Sequence, residues 1–404
     1  MTTRLRRLLA ALILACAAEP IYAVEWTPVV DASALLGQVF QQNRTSSWQG
    51  NANLQFTPAM KLTPDWTLIP TYAGEYQGTK SVVELAGGNE LFQDSQSHSL
   101  NLKAVYRWNS LKIKPSLGYR WDFLRETSDE SWGKGLFDYR KPAAGIEAEY
   151  AFPGQIKAGL AFDYYKIEFP NYTALESQPQ AAGLGREQAA AFTLNSNNLS
   201  WTLHGAFPLP FEGGSARLSL NAISRYYPQQ HIVANTGDLT SDLRSDDIKS
   251  AIGTLLYGRA LSKKIVGLLS LQLAETRARS NQAHYDPELN VFTQDYYSYD
   301  ERSIQPKISF MLGSRRAEFS ISYLLIQRDY LGRVAQDAAG TYLNEAINLS
   351  QESYLFDLAI PINWGLKLIA HSTVTHSSSN MLYEKSFRYN YNISSHLIGF
   401  SYSY

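Results

Sequence analysis

The sequence predicts an all-β fold, a transmembrane antiparallel up-and-down β-barrel of about 16 strands. Three observations predict it. Apolar and polar residues alternate with a period of two over segments of about ten residues or more. Tight turns alternate with longer connections along the chain. After the first 23 residues, no apolar run approaches the ~18 residues that a transmembrane helix needs.

The composition is rich in aromatic residues, although the chain is polar on average. Its 404 residues include 26 Tyr and 8 Trp but only 4 Met, and the mean hydropathy is −0.26. The 36 basic and 37 acidic residues give a net charge of −1, which does not indicate a nucleic-acid partner. Cys16 is the only cysteine, so disulfides and cysteine metal sites are excluded downstream of it. We expect no cofactor and no metal site.

The first 23 residues have the layout of an export signal. Basic residues from Arg4 to Arg7 precede an apolar run at 8–18, and Ala23 supplies a small residue at the expected cleavage point. Lipoprotein processing at Cys16 is the alternative, but Leu14 is bulky where a small residue is usual. We therefore assign residues 1–23 to a signal peptide and 24–404 to the barrel.

The alternation is clearest in two neighbouring segments. In 97–108, Leu100 and Leu102 share one face, whereas Lys103 and Arg107 take the other. After a turn, the segment 111–125 repeats the pattern. The predicted strands are 31–43, 47–60, 66–78, 97–108, 111–125, 139–152, 155–169, 195–208, 215–228, 247–260, 264–278, 301–313, 316–329, 350–361, 364–377 and 387–404. Strands near twice the usual ~5–6 residues argue against a soluble sandwich.

The connections between these strands are of two kinds. The short ones are predicted at 63–65, 109–110, 153–154, 210–214, 261–263, 314–315 and 362–363. The long ones are predicted near 79–96, 126–138, 170–194, 229–246, 279–300, 330–349 and 378–386. The first connection, at about 44–46, is short where a long one is expected. Since every backbone polar group must be paired within a bilayer, a sheet can span it only if the sheet closes.

The final stretch LIGFSYSY provides the sharpest local match to a known class. Gly399, Phe400, Tyr402 and Tyr404 resemble the terminal signal of Gram-negative outer-membrane β-barrels, and the pattern over 24–404 resembles the porin-like members. Two positions differ from the usual signal: Leu397 stands where a polar residue is usual, and Tyr404 stands where Phe is more common. The resemblance implies an outer-membrane location, lipid contact, insertion by the barrel-assembly machinery and tight turns facing the periplasm.

The register of the last strand is expected to be interrupted. Phe400 and Tyr402 have the parity of the lipid face, whereas Tyr389 and Tyr391 have the opposite parity. A bulge within 394–397 would reconcile them. The alternative is that the first half of the segment has left the bilayer.

Charged residues on the inferred inner face are the candidate site residues. The basic ones are Lys103, Arg107, Lys112, Lys114 and Arg120, and the acidic ones are Glu147 and Glu149. A basic wall facing an acidic wall would orient dipolar solutes, and a basic excess would favour anions. The alternative is that these charges pair with one another. The 170–194 connection is a candidate constriction, with a surface loop as the alternative.

The function that the sequence favours is a channel for small polar solutes rather than an enzyme. The alternatives are a partner-dependent export pore for a polymer or polypeptide, and an outer-membrane enzyme or adhesin. Two pairs, His204 with Ser200 and His371 with Thr373, each lie on one strand face and are candidates for catalysis. The alternative is that both histidines are solvated polar residues of the lumen. Such barrels are often homo-oligomers, but no segment identifies an interface.

Overall fold

The computed structural model describes residues 25–41, 44–78, 85–86, 94–125, 130–172, 192–286, 290–384 and 387–404. The predicted signal peptide and most of the 170–194 connection lie outside these residues. No helix in the described part is long and apolar enough to cross a membrane.

Sixteen strands form a closed antiparallel barrel, which confirms the predicted fold class. They are β1 Val30–Gln41, β2 Arg44–Phe56, β3 Trp66–Gln77, β4 Asp94–Trp108, β5 Leu111–Arg125, β6 Tyr139–Ala151, β7 Lys157–Ile167, β8 Ser196–Pro208, β9 Gly214–Val233, β10 Leu239–Ser262, β11 Ile265–Ser280, β12 Tyr299–Leu312, β13 Ala317–Gln336, β14 Tyr342–Asn363, β15 Leu366–Ser379 and β16 Tyr391–Ser403. Each strand pairs with the next, and β1 pairs with β16 to close the sheet.

Two of the predicted long loops are wrong, because the chain there continues as strand. The segments 229–246 and 330–349 belong largely to two tall hairpins, β9–β10 and β13–β14. The pairing passes through register shifts, between Tyr226 and His231 in β9 and between Asp329 and Val334 in β13. Polar residues there resemble loop sequence, but backbone pairing with the partner strand still keeps them extended.

The two faces of the barrel differ as the alternation predicts. Large apolar side chains are exposed on the outer face, as expected of a barrel that spans a bilayer. They include Leu36, Leu54, Leu100, Leu117, Ile146, Leu160, Trp201, Leu218, Leu255, Leu269, Ile308, Ile321, Phe356, Val374 and Ile398. Successive residues point to opposite faces of a strand, so the residues between them point inward. Most of these inward residues are polar or charged.

Both termini of the barrel and the tight turns lie at one end, the short-turn end. The backbone N–H of Val30 donates to the carbonyl oxygen of Tyr404 at 2.9 Å. This hydrogen bond holds the start of β1 beside the residue that follows β16. Exposed rings surround this end, among them Trp66, Trp108 and Trp364. Aromatic rings of this kind prefer the interface between hydrocarbon and water. The opposite end is the long-loop end.

The last strand has no bulge. Its pairing with β15 is continuous from Tyr391 to Tyr402. Tyr391 therefore faces inward, where it is buried with 3% of its surface exposed. Gly399 also faces inward, and a Cβ there would overlap the carbonyl oxygen of Ala34 on β1. The glycine thus permits the close approach of β1 and β16 at the closure.

Candidate functional site

Three neighbouring strands place most of the predicted site residues on one wall of the lumen. Alternation turns Lys103 and Arg107 inward on β4, Lys112 and Lys114 inward on β5, and Glu147 and Glu149 inward on β6. The registers align Lys112 with Glu149 and Lys114 with Glu147. The carboxylates are therefore beside the amines, on the adjacent strand, rather than across the lumen from them.

These charges form a connected set of ion pairs. The Lys114 Nζ lies 2.7 Å from a carboxylate oxygen of Glu147 and 2.9 Å from one of Glu149. Lys103 lies 3.3 Å from Glu147 and Lys112 3.4 Å from Glu149. The expected acidic wall facing a basic wall is thus wrong for these residues, because adjacent strands bring the opposite charges within ion-pair distance.

The two predicted arginines have different surroundings. Arg120 donates two hydrogen bonds to Asp122, of 2.6 and 2.7 Å, on its own strand. Arg107 is aligned with Lys112 across the β4–β5 turn and is exposed. Arg107 is the only one of the five predicted cations that is outside every ion pair of this wall in the described residues.

Two further exposed cations face inward near the same end of the barrel. Lys157 begins β7, Arg217 lies near the start of β9, and Ala206 of β8 is aligned with both. Lys157 was absent from the predicted site, although its position after a tight turn and its strand parity indicate it. Arg225, further along β9, is instead held by Asn198, to whose side-chain oxygen it donates at 2.9 Å.

Glu147, Glu149 and His204 come close enough to be considered as metal ligands. One donor atom from each lies within 4.8 Å of the others, and His204 is 3.6 Å from Glu147. Carboxylate and imidazole groups do bind divalent metals. However, the ammonium group of Lys114 already contacts both carboxylates, so this lysine supplies the positive charge that a cation would bring.

The wall formed by β12–β15, eight strands away, contains a second polar network. Asp357 and the Nδ1 of His371 are 2.6 Å apart, and the His371 Nε2 is 2.9 Å from the Thr373 hydroxyl. Ser320 donates to Asp357 at 2.9 Å and Lys307 lies 3.7 Å from it. The hydrogen bonds fix the orientation of the His371 ring, one of the two histidines considered above as catalytic candidates. The positive charge of Lys307 lies beside the negative charge of Asp357, so this wall also contains paired charges.

A folded segment covers part of the inner surface at the long-loop end. It connects β11 to β12, and we call its described residues, 281–286 and 290–298, the inward layer. Gln282 accepts from the Val233 N–H at 3.1 Å and donates to the His231 carbonyl at 3.0 Å. Asp286 accepts from the Tyr342 hydroxyl at 2.9 Å. The inward layer is therefore bonded to both tall hairpins.

Arginine–tyrosine stacking holds the inward layer against the wall. The guanidinium of Arg244 lies between the rings of Tyr227 and Tyr297, 4.5 and 4.4 Å from their centroids. Its charge is paired with Asp246 at 2.9 Å. Because Arg244 and Tyr227 point inward from β10 and β9, Tyr297 must lie on the lumen side of the wall. Cation–π contacts of this buried kind contribute about 2 kcal/mol.

The predicted assembly-signal residues lie at the short-turn end. Phe400, Tyr402 and Tyr404 are exposed on the outer face, where Tyr404 has 71% of its surface accessible. Gly399 faces inward, at the β1–β16 closure. The three rings therefore point away from the lumen, next to the β1–β16 pair that closes the barrel.

Known proteins are similar to this chain in structure, over nearly its whole length, but comparison of sequences finds no match. No family model matches the sequence, and no curated protein does. OmpT of Vibrio cholerae, in its trimer form, is 8% identical, with a TM-score of 0.47, 95% of this chain and 100% of that one covered. OccK2 (OpdF) of Pseudomonas aeruginosa, in complex with glucuronate, is 12% identical, with a TM-score of 0.46 and coverages of 94% and 98%. The anion-selective porin from Comamonas acidovorans is 11% identical, with a TM-score of 0.44 and coverages of 94% and 100%.

The barrel's own geometry defines its class. A closed sheet of 16 antiparallel strands, apolar outside and polar inside, leaves no backbone group unpaired in a bilayer. The protein is therefore a closed antiparallel β-barrel whose two faces suit a position across a bilayer.

Proposed function

We propose that this protein is a channel for the diffusion of small polar solutes across the outer membrane, with a preference for anions. The observation that supports it best is the exposure of inward-facing cations in the barrel. Arg107, Lys157 and Arg217 point into the lumen and are nevertheless exposed. Exposed charge on an inner face requires water there, and a barrel of this size can hold an aqueous lumen.

The anion preference follows from which charges remain uncompensated. Lys103, Lys112 and Lys114 lie beside Glu147 and Glu149, so their fields partly cancel at the distance of a passing ion. The field of Arg107 is not cancelled in this way, and Lys157 and Arg217 add to it at similar depth. The five predicted basic residues remain part of the proposal, with Arg107 as the main contributor among them.

The proposed channel is narrowed at its long-loop end by the inward layer. Its rings and amides occupy the inner side of β9, β10 and β13, and Arg244 holds it there. A narrow, polar entrance of this kind suits small hydrophilic solutes rather than a polymer.

The proposal extends to the route by which the chain reaches the membrane. Residues 1–23 direct export and are removed, and the assembly machinery recognises the exposed rings of Phe400, Tyr402 and Tyr404. The protein acts in transport and not in catalysis.

Planar-bilayer recording of the purified chain tests the proposal. We expect stable open conductance without any partner, and a reversal potential in a salt gradient that reports anion preference. A barrel that stays closed until a partner is added would support the export-pore alternative instead. Open conductance with cation preference would contradict the anion bias and leave the channel itself intact.

A further inference from the structure

The geometry points to a binding site for a phosphorylated glycolipid of the outer leaflet, and we propose that one acyl chain lies in a groove on the outer face of β10–β13 with its phosphate at Arg302. This site is separate from the lumen. It would bind lipid whether or not the barrel conducts anions.

The groove is a depression of about 440 Å³ in the lipid-facing surface. Ala251 and Gly253, two small residues of β10, line its floor. Leu273, Ile304 and Leu325, from β11, β12 and β13, stand beside it. The registers place Gly253, Leu273, Ile304 and Leu325 in one row across the four strands. The depression exists because β10 supplies only small side chains where its neighbours supply large ones.

The space above Gly253 is open. A Cβ at this position would meet no atom within 4 Å. An apolar chain lying there would contact the side chains of Leu273 and Ile304, which are 48% and 37% exposed. Such contacts need no hydrogen-bond partner, so a hydrocarbon chain is the occupant that the groove fits.

The end of the groove nearest the long-loop end is charged. The next row toward that end contains Glu275, Arg302 and Gln327, aligned in register on β11, β12 and β13. Glu275 is engaged by Arg277 at 2.8 Å. Arg302 lines the groove, is exposed and lies outside that ion pair.

A second exposed cation lies one row further on. Lys249 of β10 is aligned with Arg277 and is also exposed. In the same row, Asp300 is engaged by Arg279 at 2.7 Å, and Asp329 lies on the far strand, β13. The groove therefore ends between basic groups, with the acids of β11 and β12 already paired.

This order of rows matches the structure of a lipid that bears a phosphate. Apolar residues give way to Arg302 at the depth where the apolar belt ends, which is the level of lipid head groups. A guanidinium presents paired donors that suit phosphate oxygens. The long-loop end of such barrels faces outward, so the lipid in question belongs to the outer leaflet, where glycolipids bear phosphate.

A second outer groove provides a contrast within the same molecule. It has a volume of about 540 Å³ and lies among Pro70, Leu100 and Leu117. None of its lining residues is charged. It can hold an acyl chain of any lipid, so of these two grooves the one on β10–β13 is expected to select for a phosphate.

The experiment measures lipid retained by the folded barrel, using native mass spectrometry in detergent. The probe is lipid A, a bisphosphorylated acylated disaccharide, compared with its dephosphorylated form and with inorganic phosphate. Gly253→Leu fills the groove, and Arg302→Gln removes the phosphate contact. Ala144→Leu, on the outer face of β6, and Arg259→Gln, on the outer face of β10 near its short-turn end, are the matched controls.

We expect Arg302→Gln to lower lipid A retention by about tenfold, since one charged hydrogen bond contributes about 1.5 kcal/mol. Gly253→Leu should lower retention as well, because the leucine side chain occupies the open space of the groove. The controls should retain lipid A like the wild type, and the dephosphorylated lipid should bind weakly to all. Gel electrophoresis of heated and unheated samples verifies that each variant is folded, because a folded barrel migrates differently before heating. Equal retention by Gly253→Leu and wild type would overturn the proposal. Equal binding of phosphorylated and dephosphorylated lipid, or full displacement by inorganic phosphate, would do so as well.

Discussion

Neutralising the three exposed inward cations should remove most of the anion preference of the channel. The variant is Arg107→Gln, Lys157→Gln and Arg217→Gln together. All three residues face the lumen near the short-turn end and are exposed. Glutamine keeps much of their length and polarity, so the lumen remains wet and similar in width. The perturbation thus changes charge with little change in shape.

The size of the effect follows from Coulomb's law. An ion passing about 8 Å from one such charge in water interacts with it by about 0.5 kcal/mol. Screening with a Debye length of about 10 Å at 0.1 M salt reduces this to about 0.2 kcal/mol. Anions gain this energy and cations lose it, so each charge removed changes the anion-to-cation permeability ratio roughly twofold. Removing three should change the ratio roughly tenfold.

The assay is the reversal potential across a planar bilayer in a salt gradient, with single-channel conductance recorded at the same time. The matched control is Lys112→Gln with Glu149→Gln. This pair lies 3.4 Å apart on the same wall, and its removal leaves the net charge unchanged. We expect the control to keep the wild-type reversal potential. A triple variant that conducts normally and keeps the wild-type reversal potential would refute the reasoning.

Further predictions concern the paired acids, the inward layer, the chain end and one loop. Replacing Glu147 and Glu149 by Gln should raise the anion-to-cation ratio about fivefold in the same assay, because it uncovers three lysines. Replacing residues 283–296 by a short Gly-Ser linker should raise single-channel conductance, and unchanged conductance would argue against a constriction there. Tyr404→Ser should slow assembly in cells without lowering the thermal stability of the refolded barrel, since the ring is 71% exposed. Asp138 ends the connection from β5 to β6, where its side chain accepts hydrogen bonds from the backbone N–H groups of Leu124 and Gly135. Burial raises the pKa of Asp138, so its contribution to the stability of residues 130–138 is complete below the ordinary Asp pKa and is lost as pH rises through the raised value. Hydrogen exchange should show that Asp138→Asn abolishes this pH dependence.

The alternation of side chains made the barrel predictable. All 16 predicted strands are present, and most of the short turns fall where Pro, Gly or Asn interrupts the pattern. The same alternation placed Lys103, Lys114 and Glu147 on the inner face. Whether a residue faces lipid or lumen depends only on its parity along one strand, so local sequence suffices.

The register between neighbouring strands could not be predicted from the sequence. The distance from Lys114 to Glu147 depends on how far β6 is shifted along β5, and a shift of two residues would separate them. The sequence therefore left open whether the acids face the bases or bind them. It also left open that Arg107 lies outside the ion pairs of the described residues, and that Lys157 and Arg217 face the lumen near the same short-turn end.

The tall hairpins show the same limit at larger scale. The polar stretch 229–246 has no strong alternation, and its extended form depends on pairing between β9 and β10. The inward position of Tyr297 depends on its contact with Arg244 of another strand. No local pattern encodes either contact.

The sequence by itself determined the strand content, the two faces of each strand and the outward position of the rings near the end of β16, because each arises from neighbours a few residues apart. The tertiary structure alone decided which charges are compensated, where the inward layer lies and where a groove opens beside Arg302. These depend on the register of adjacent strands, which closure of the whole barrel sets.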